Sequence, residues 1–520
     1  MVITKDKLYL ALLCICGIIA IIVFGRASFK TQGVLADGKS PKSLTYALAT
    51  NPKNLDPALA DDIESAKVIV NIFEGLVKYA PGKNEIEPAL ATKWEVSQDG
   101  KEWIFTLRED VVFHDGTPFN ADAVRFSVDR QLKATTDTKM PYAKFVFGLI
   151  ENIEIIDEYK VGFKLKHLYA PFLYNLAMPF SAPIVSPGTG ENGENLIGTG
   201  PFQYASRGNN TITLKANTKY WGDPPQLDFI QFKIIPDSSM RMQSLETEAV
   251  DIVDGLTHRE LGELDGNQIV VSTTRTDISY MGMFNNKKPF NDPKVRKAVS
   301  MAIDREKITV DLFNDRVKIA NSPLPPTVMG HSPELKPYPY NPQLAKKMLR
   351  EAGYTELEIT LLTYANKRPY NPIGGKELAQ YIKKDLEEIG VKVKVTSLPW
   401  DDYKMAIFEQ KGSAFLYGWV SDNGDPDNFL YPLFTSSQIE KGLNTCKYTN
   451  SQVDFLLSAA QQETDPKTRE NMYFQVQQII IQDAPLVFLN HGMEFAAVSP
   501  DVKAFVLQPN GFSYLHSTKK

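Results

Sequence analysis

Leu8 to Phe24 reads LYLALLCICGIIAIIVF, 17 residues without a charge, and no later stretch of the chain repeats it. One such run permits one engagement with a membrane and rules out a polytopic protein. Lys5 and Lys7 precede it, and Arg26 and Lys30 follow. Apolar residues cover every face, so it does not read as an amphipathic core helix. The run is at the short end of a bilayer span, which takes ~17–25 residues. It is long for the apolar part of a signal peptide, which takes ~7–15. Gly25-Arg26-Ala27 and Val34-Leu35-Ala36 offer small residues for cleavage. Export follows from either reading, and the sequence leaves a cleaved leader and a retained anchor both open. Leu13 and Ile15 precede Cys14 and Cys16 where a lipoprotein site needs a small residue. Cys446 is the one cysteine beyond the run, so the exported body has no internal disulfide. Its stability must come from core size, which 520 residues supply across more than one domain.

Composition narrows the class further. Hydrophobic residues make up 43% and charged residues 23%, values of an ordinary globular body rather than a disordered chain or coiled coil. Lys and Arg total 57 against 62 Asp and Glu, a net charge of -5, so the basic footprint of a nucleic-acid binder is missing.

The body reads as α/β. Trp103, Phe105 and Leu107 alternate with Ile104, Thr106 and Arg108, as strands require. Val161, Phe163 and Leu165 do the same, as do Val391, Val393 and Val395. Asn341-Pro342, Asp292-Pro293 and Asp465-Pro466 each give a helix N-cap followed by a first-turn proline. Leu378, Tyr381, Ile382, Leu386 and Ile389 form an apolar helical stripe that Gly390 ends. A helix over 375–389 followed by a strand over 391–396 predicts a layered α/β body. Residues 184–201 read as a crossing between domains. Residues 321–340, with seven prolines and glycines, read as an extended connection.

Catalytic patterns are missing. No two of His114, His167, His258, His331, His491 and His516 have metal-pair spacing, and none joins a cysteine. There is no GxSxG elbow and no phosphate loop. Gly188-Thr-Gly190-Glu-Asn-Gly193 matches GxGxxG in letters only, because Ser-Pro precedes it and no helix can open after it. Asp61-Asp62 and Asp401-Asp402 read as caps or solvated faces.

The most informative stretch is Tyr417-Gly-Trp-Val-Ser-Asp-Asn-Gly-Asp-Pro-Asp-Asn-Phe429, where an apolar run breaks into an acidic loop. Such a strand end is where α/β proteins bind ligands. Asp425-Pro426 reads as a cap and first-turn pair. Capping does not need Asp422, which follows Trp419 and suits an ammonium group beside an aromatic wall. Upstream, Arg368 sits in Asn366-Lys-Arg-Pro-Tyr-Asn-Pro372, a rigid turn that can present a guanidinium fork to a carboxylate.

These pieces, with Phe73-Glu-Gly-Leu76, Pro88-Ala-Leu-Ala-Thr-Lys-Trp94, Phe113-His-Asp-Gly116, Ile197-Gly-Thr-Gly-Pro-Phe202 and Asn217-Thr-Lys-Tyr-Trp221, occur in an order that carries a resemblance. Asp292-Pro-Lys-Val-Arg-Lys-Ala298 and Ala302-Ile-Asp304 continue it. The chain resembles the dipeptide/oligopeptide-binding proteins of ATP-binding-cassette importers, bacterial solute-binding protein family 5, over roughly residues 43–510. The Arg368 and Gly418–Phe429 segments point to the dipeptide branch.

The resemblance implies a periplasmic-binding-protein type II clamp of two lobes with an extra inserted domain, a class C substrate-binding protein. Residues 1–36 would be signal peptide or membrane anchor plus linker. Lobe I would combine 37–60, 198–275 and 492–520; the inserted domain would be 61–197; and lobe II would be 276–491. Asp422 matches the family's peptide-amine anchor and Arg368 its carboxylate anchor. Gly418 and Trp419 match positions near the bound backbone, and Trp400 and Tyr370 match pocket-wall positions. Family members often pair cysteines near Cys446; Ser436 and Ser437 stand in the partner region here, so that bridge is expected to be missing. The expected function is capture of a short peptide by both termini and delivery to a peptide permease in the periplasm, by a monomer with no cofactor, metal, nucleic acid or catalytic step. Haem binding, antimicrobial-peptide capture and nickel-chelate binding are alternatives within the family; an exported peptidase is the alternative from another class.

Overall fold

The computed structural model describes residues 41–133, 140–190, 193, 195–264 and 266–520. The Leu8–Phe24 run and the choice between leader and anchor lie outside them. No helix among the described residues is long and apolar enough to cross a membrane.

The strand and helix signals become the expected elements. Trp103, Phe105 and Leu107 are buried within Glu102–Leu107, and Val161, Phe163 and Leu165 within Lys160–Leu165. The Asn341 side chain accepts the Leu344 N–H at 2.9 Å and opens helix Pro342–Glu351. Asp292 and Asp465 cap Pro293–Ala302 and Pro466–Asp483 in the same way. Helix Gly375–Glu388 buries Leu378, Ile382 and Leu386, and Gly390 follows it at φ +93, a conformation that side chains resist.

A twelve-stranded sheet runs through the molecule, and the 13-residue strand Leu486–Val498 is its spine. The first part of that strand pairs with Asp277–Met283 and Val317–Ile319. The last part pairs with Ile252–Asp254 and Ile269–Thr274. On one side the sheet continues through Ser43–Leu48, Phe229–Ile234, Thr211–Ala216 and Phe202–Arg207. On the other it continues through Ala414–Val420, Leu357–Tyr364 and Val391–Leu398. The chain passes between the two halves at Arg275–Thr276 and again at His491–Gly492. These passages are bonded to each other: the Arg275 N–H donates to the Gly492 carbonyl at 2.9 Å, and the Gly492 N–H donates to Asp277 at 2.7 Å.

A separate antiparallel sheet of Ala91–Val96, Glu102–Leu107, Lys160–Leu165 and Ile150–Asp157 stands apart, with helix Ala121–Lys133. It has its own core around Phe105, Phe119, Phe147 and Phe163. The half-sheet beyond Asp277 has another, around Tyr280, Phe415, Leu430 and Val487. Leu44, Phe202, Phe232 and Ile252 centre a third, and Met242, Leu245, Val250 and Val253 a smaller fourth. Separate cores joined by few strands are the architecture of bodies that can move against one another.

Candidate functional site

Strand Ala414–Val420 lies between Asp277–Met283 and Leu357–Tyr364, which explains its unbroken apolar run. Past Val420 the chain turns through a loop held by its own side chains. Gly424 donates to Ser421 Oγ at 2.9 Å, and Asp425 to Asn423 Oδ1 at 3.0 Å. Asn428 Oδ1 accepts both the Trp419 indole N–H and the Asp422 N–H, each at 3.3 Å.

The three aspartates of this loop separate by role. Asp425 is fully buried and takes both arms of the Arg469 guanidinium at 2.7 Å. Its Oδ1 also accepts the Asp427 N–H at 2.8 Å, but the expected cap and first-turn pair is shifted by one: the helix begins at Asp427 with Pro426 at the N-cap, because Asp425 is drawn into the Arg469 pair. Asp427 is buried against Tyr169 and Gln461, and burial, with Asp425 beside it, pushes its carboxyl up to about 7. Asp422 alone faces open space.

That space is a cavity of about 540 Å³ between the halves of the molecule, lined by Asp422, Tyr142, Asp61, Phe180, Arg275 and Glu494 among others. Asp422 is exposed to the cleft's solvent, yet the walls around it displace enough water to raise its carboxyl pKa. Tyr142 lies against it, with the hydroxyl donating over a long 3.4 Å. Burial and the Asp422 charge push that phenol up to about 12. No cation pairs with Asp422 among the described residues.

The cavity floor is a network of paired charges. Arg275 joins Asp277 and Glu494, both at 3.0 Å. Lys67 joins Asp254 at 2.8 Å and Glu64 at 3.2 Å. Sequence reasoning missed Tyr142, Arg275, Lys67 and Glu494, because no local motif marks them. It noticed Asp61 and Asp62 without placing them: Asp62 is the N-cap of helix Ile63–Ile72, and only Asp61 reaches the cavity.

Arg368 sits in a turn closed by reciprocal backbone bonds with Asn371 at 3.1 and 2.9 Å. The buried Asn371 side chain fixes that turn to Tyr364 and Gly374. The guanidinium lies 3.7 Å from the centre of the Trp400 ring, and no carboxylate pairs with it among the described residues. Trp400 stacks on Tyr417 at 5.7 Å and 19°. Tyr370 fills the space over Gly418, where a Cβ would come 2.2 Å from its ring. Arg368, Trp400, Tyr370 and Gly418 therefore form one aromatic block. Arg368 does not line the Asp422 cavity; its neighbour Pro369 does. Pro369 also borders a second cavity of about 580 Å³, which carries Lys367, Arg316 and Arg259 and shares Arg275 and Glu494 with the first. The two cavities run along the passage between half-sheets, acidic toward Asp422 and basic toward Lys367.

The family described as "Bacterial extracellular solute-binding proteins, family 5 Middle" matches residues 85–441. The chain belongs to that family. This family 5 protein is 31% identical to the dipeptide-binding protein of Escherichia coli over 94% of this chain and 98% of that one. It is 32% identical to heme-binding protein A of Haemophilus influenzae, with 94% of each covered. Among solved structures it resembles HbpA2 of Haemophilus parasuis, with a TM-score of 0.86 at 30% identity over 92% and 99% of the two chains. Against a Pseudoalteromonas dipeptide-binding protein in complex with Met-Leu the TM-score is 0.69 at 31% identity, covering 92% and 100%. Against the unliganded open form of the murein tripeptide-binding protein MppA it is 0.83 at 25% identity, covering 94% and 99%. The fold is the two-lobed periplasmic-binding-protein clamp.

Proposed function

We propose that this family 5 protein captures dipeptides between its lobes and hands them to an ATP-binding-cassette permease in the periplasm, acting as a monomer without catalysis. The observation that carries the reading is Asp422, a carboxylate with no cation pairing it among the described residues, facing the cavity at a strand end. A charge that closure of the lobes takes out of water demands a partner, and a peptide ammonium supplies one. Arg368 takes the peptide carboxylate, presented from the Trp400 face with no acidic residue pairing it among the described residues. Trp419, Gly418, Trp400 and Tyr370 line neither cavity as the structure stands, and form the block that meets the peptide backbone when the lobes close. Anchoring both termini fixes length and leaves side chains free. Lobe I comprises 37–60, 198–275 and 492–520, lobe II comprises 276–491, and 61–197 is inserted. The conformation described is nearer to that of the unliganded open relative than to that of the Met-Leu complex.

Calorimetry on the full-length chain tests the reading with Ala-Ala, Ala-Ala-Ala, N-acetyl-Ala-Ala and haemin. Tight Ala-Ala binding that acetylation removes is the expected result. Heat with haemin and none with Ala-Ala would overturn it in favour of the ligand named for the Haemophilus influenzae relative.

A further inference from the structure

The charges around the Asp422 cavity do not balance, and the imbalance points to a ligand class. Its two lining cations are already committed: Arg275 to Asp277 and Glu494, and Lys67 to Glu64 and Asp254. Each therefore sits between two carboxylates and has no charge to spare. Two more carboxylates line the same cavity, Asp422 and Asp61. Tyr142 lies within the field of both, which places them around one space. Among the described residues Asp61 pairs with Lys53 at 2.9 Å, and both side chains are about half exposed or more. Such a surface pair is weak and separates readily.

A neutral dipeptide brings one ammonium, which Asp422 takes. Asp61 then remains as a second acid at the cleft, held only by the exposed Lys53 pair, which a ligand cation can displace. We infer that Asp61 is the specificity-determining residue of the first side-chain pocket and selects peptides that begin with lysine or arginine. The inference rests on the proposed peptide reading and adds the substrate class. A cationic first side chain starts from the same residue as the ammonium, so both positive groups enter the acidic half of the cleft together. The peptide carboxylate runs toward the basic half.

The test is calorimetry on the full-length chain with Lys-Ala, Ala-Ala and Glu-Ala, before and after Asp61→Asn. Lys-Ala should bind about tenfold tighter than Ala-Ala, and Glu-Ala weaker than either, the scale of one partly desolvated ion pair. Asp61→Asn should collapse the Lys-Ala to Ala-Ala ratio toward one, and added salt should shrink it. A ratio near one in the native chain, or one that survives Asp61→Asn, overturns the inference. Because Ala-Ala is the reference, its binding without a lysine preference removes the inference alone. Failure of all three peptides removes the peptide reading itself.

Discussion

Tyr142 and Asp422 are 280 residues apart in sequence, yet the phenol of one reaches the carboxylate of the other at 3.4 Å across the cleft. The contact is longer than a good O–H···O bond, so it neither satisfies nor neutralises the acid. Asp422 is left poised for a better partner, and its replacement should therefore cost binding rather than folding. Asp422→Asn is expected to weaken Ala-Ala by ~3–5 kcal/mol, the cost of leaving one charge of a buried pair alone. The thermal midpoint should stay within a degree or two of the native value, as for a mutation at an exposed position without strong partners.

The same acid sets a pH dependence. Its carboxyl pKa is raised in the free protein, and an ammonium partner lowers it again on binding. Affinity should be flat at neutral pH and fall as pH drops through the free-state value, with protons released on binding in that window. Calorimetry in buffers of different ionisation heat reads those protons directly. Asp422→Asn should abolish both effects.

Arg368 is held over the Trp400 ring, 3.7 Å from its centre, without a carboxylate partner among the described residues. Arg368→Lys keeps the charge but loses the planar fork and the stack. Binding of Ala-Ala should weaken by about 1.5–3 kcal/mol, the scale of a charged hydrogen bond. Amidating the peptide carboxylate should cost the native protein far more than it costs Arg368→Ala. Equal losses in the two proteins would place the carboxylate elsewhere.

Gly418 is needed for space, since any Cβ there meets the Tyr370 ring at 2.2 Å. Gly418→Ala should destabilise by ~1–3 kcal/mol through overpacking, measured by urea denaturation, and should weaken peptide binding as the aromatic block shifts. A second substitution that shrinks the ring, Tyr370→Leu, should recover part of the lost stability.

Asp427 carries a stability signal that can be separated from binding. Burial raises its carboxyl to about 7, whereas the unfolded chain releases the same proton near 4. A carboxyl raised in the folded state favours folding fully below the unfolded value. That contribution is lost as pH rises toward the folded value, by up to about 1.4 kcal/mol per unit. Compared with Asp427→Asn, the native protein should lose stability between pH 5 and 7 and then level off. Denaturant midpoints at pH 5, 6, 7 and 8 trace the difference.

What could be read from the sequence was local. Asn341, Asp292 and Asp465 announce helix starts because a cap bonds to the backbone two or three residues on. Asp422 stood out because the apolar run before it stops abruptly, a signal contained in a dozen residues. The Arg275–Glu494 pair spans 219 residues, and the Asp425–Arg469 pair joins a loop to a helix 44 residues away. Neither leaves a local pattern, since each partner alone resembles any surface charge. Arg368 was legible as a residue but not in its setting, because its stacking on Trp400 depends on how two helix-to-strand units pack.

The bonded passages at Arg275–Thr276 and His491–Gly492 also fix the mechanics. Two connections tied side by side form one pivot between the half-sheets, a geometry that favours rotation over sliding. Groups close to a pivot travel little while the distant rims travel far. A fraction of an ångström of adjustment at Asp422 is thus geared up into a large change at the edges of the clamp. A membrane partner touching only those edges would sense occupancy without ever contacting the peptide.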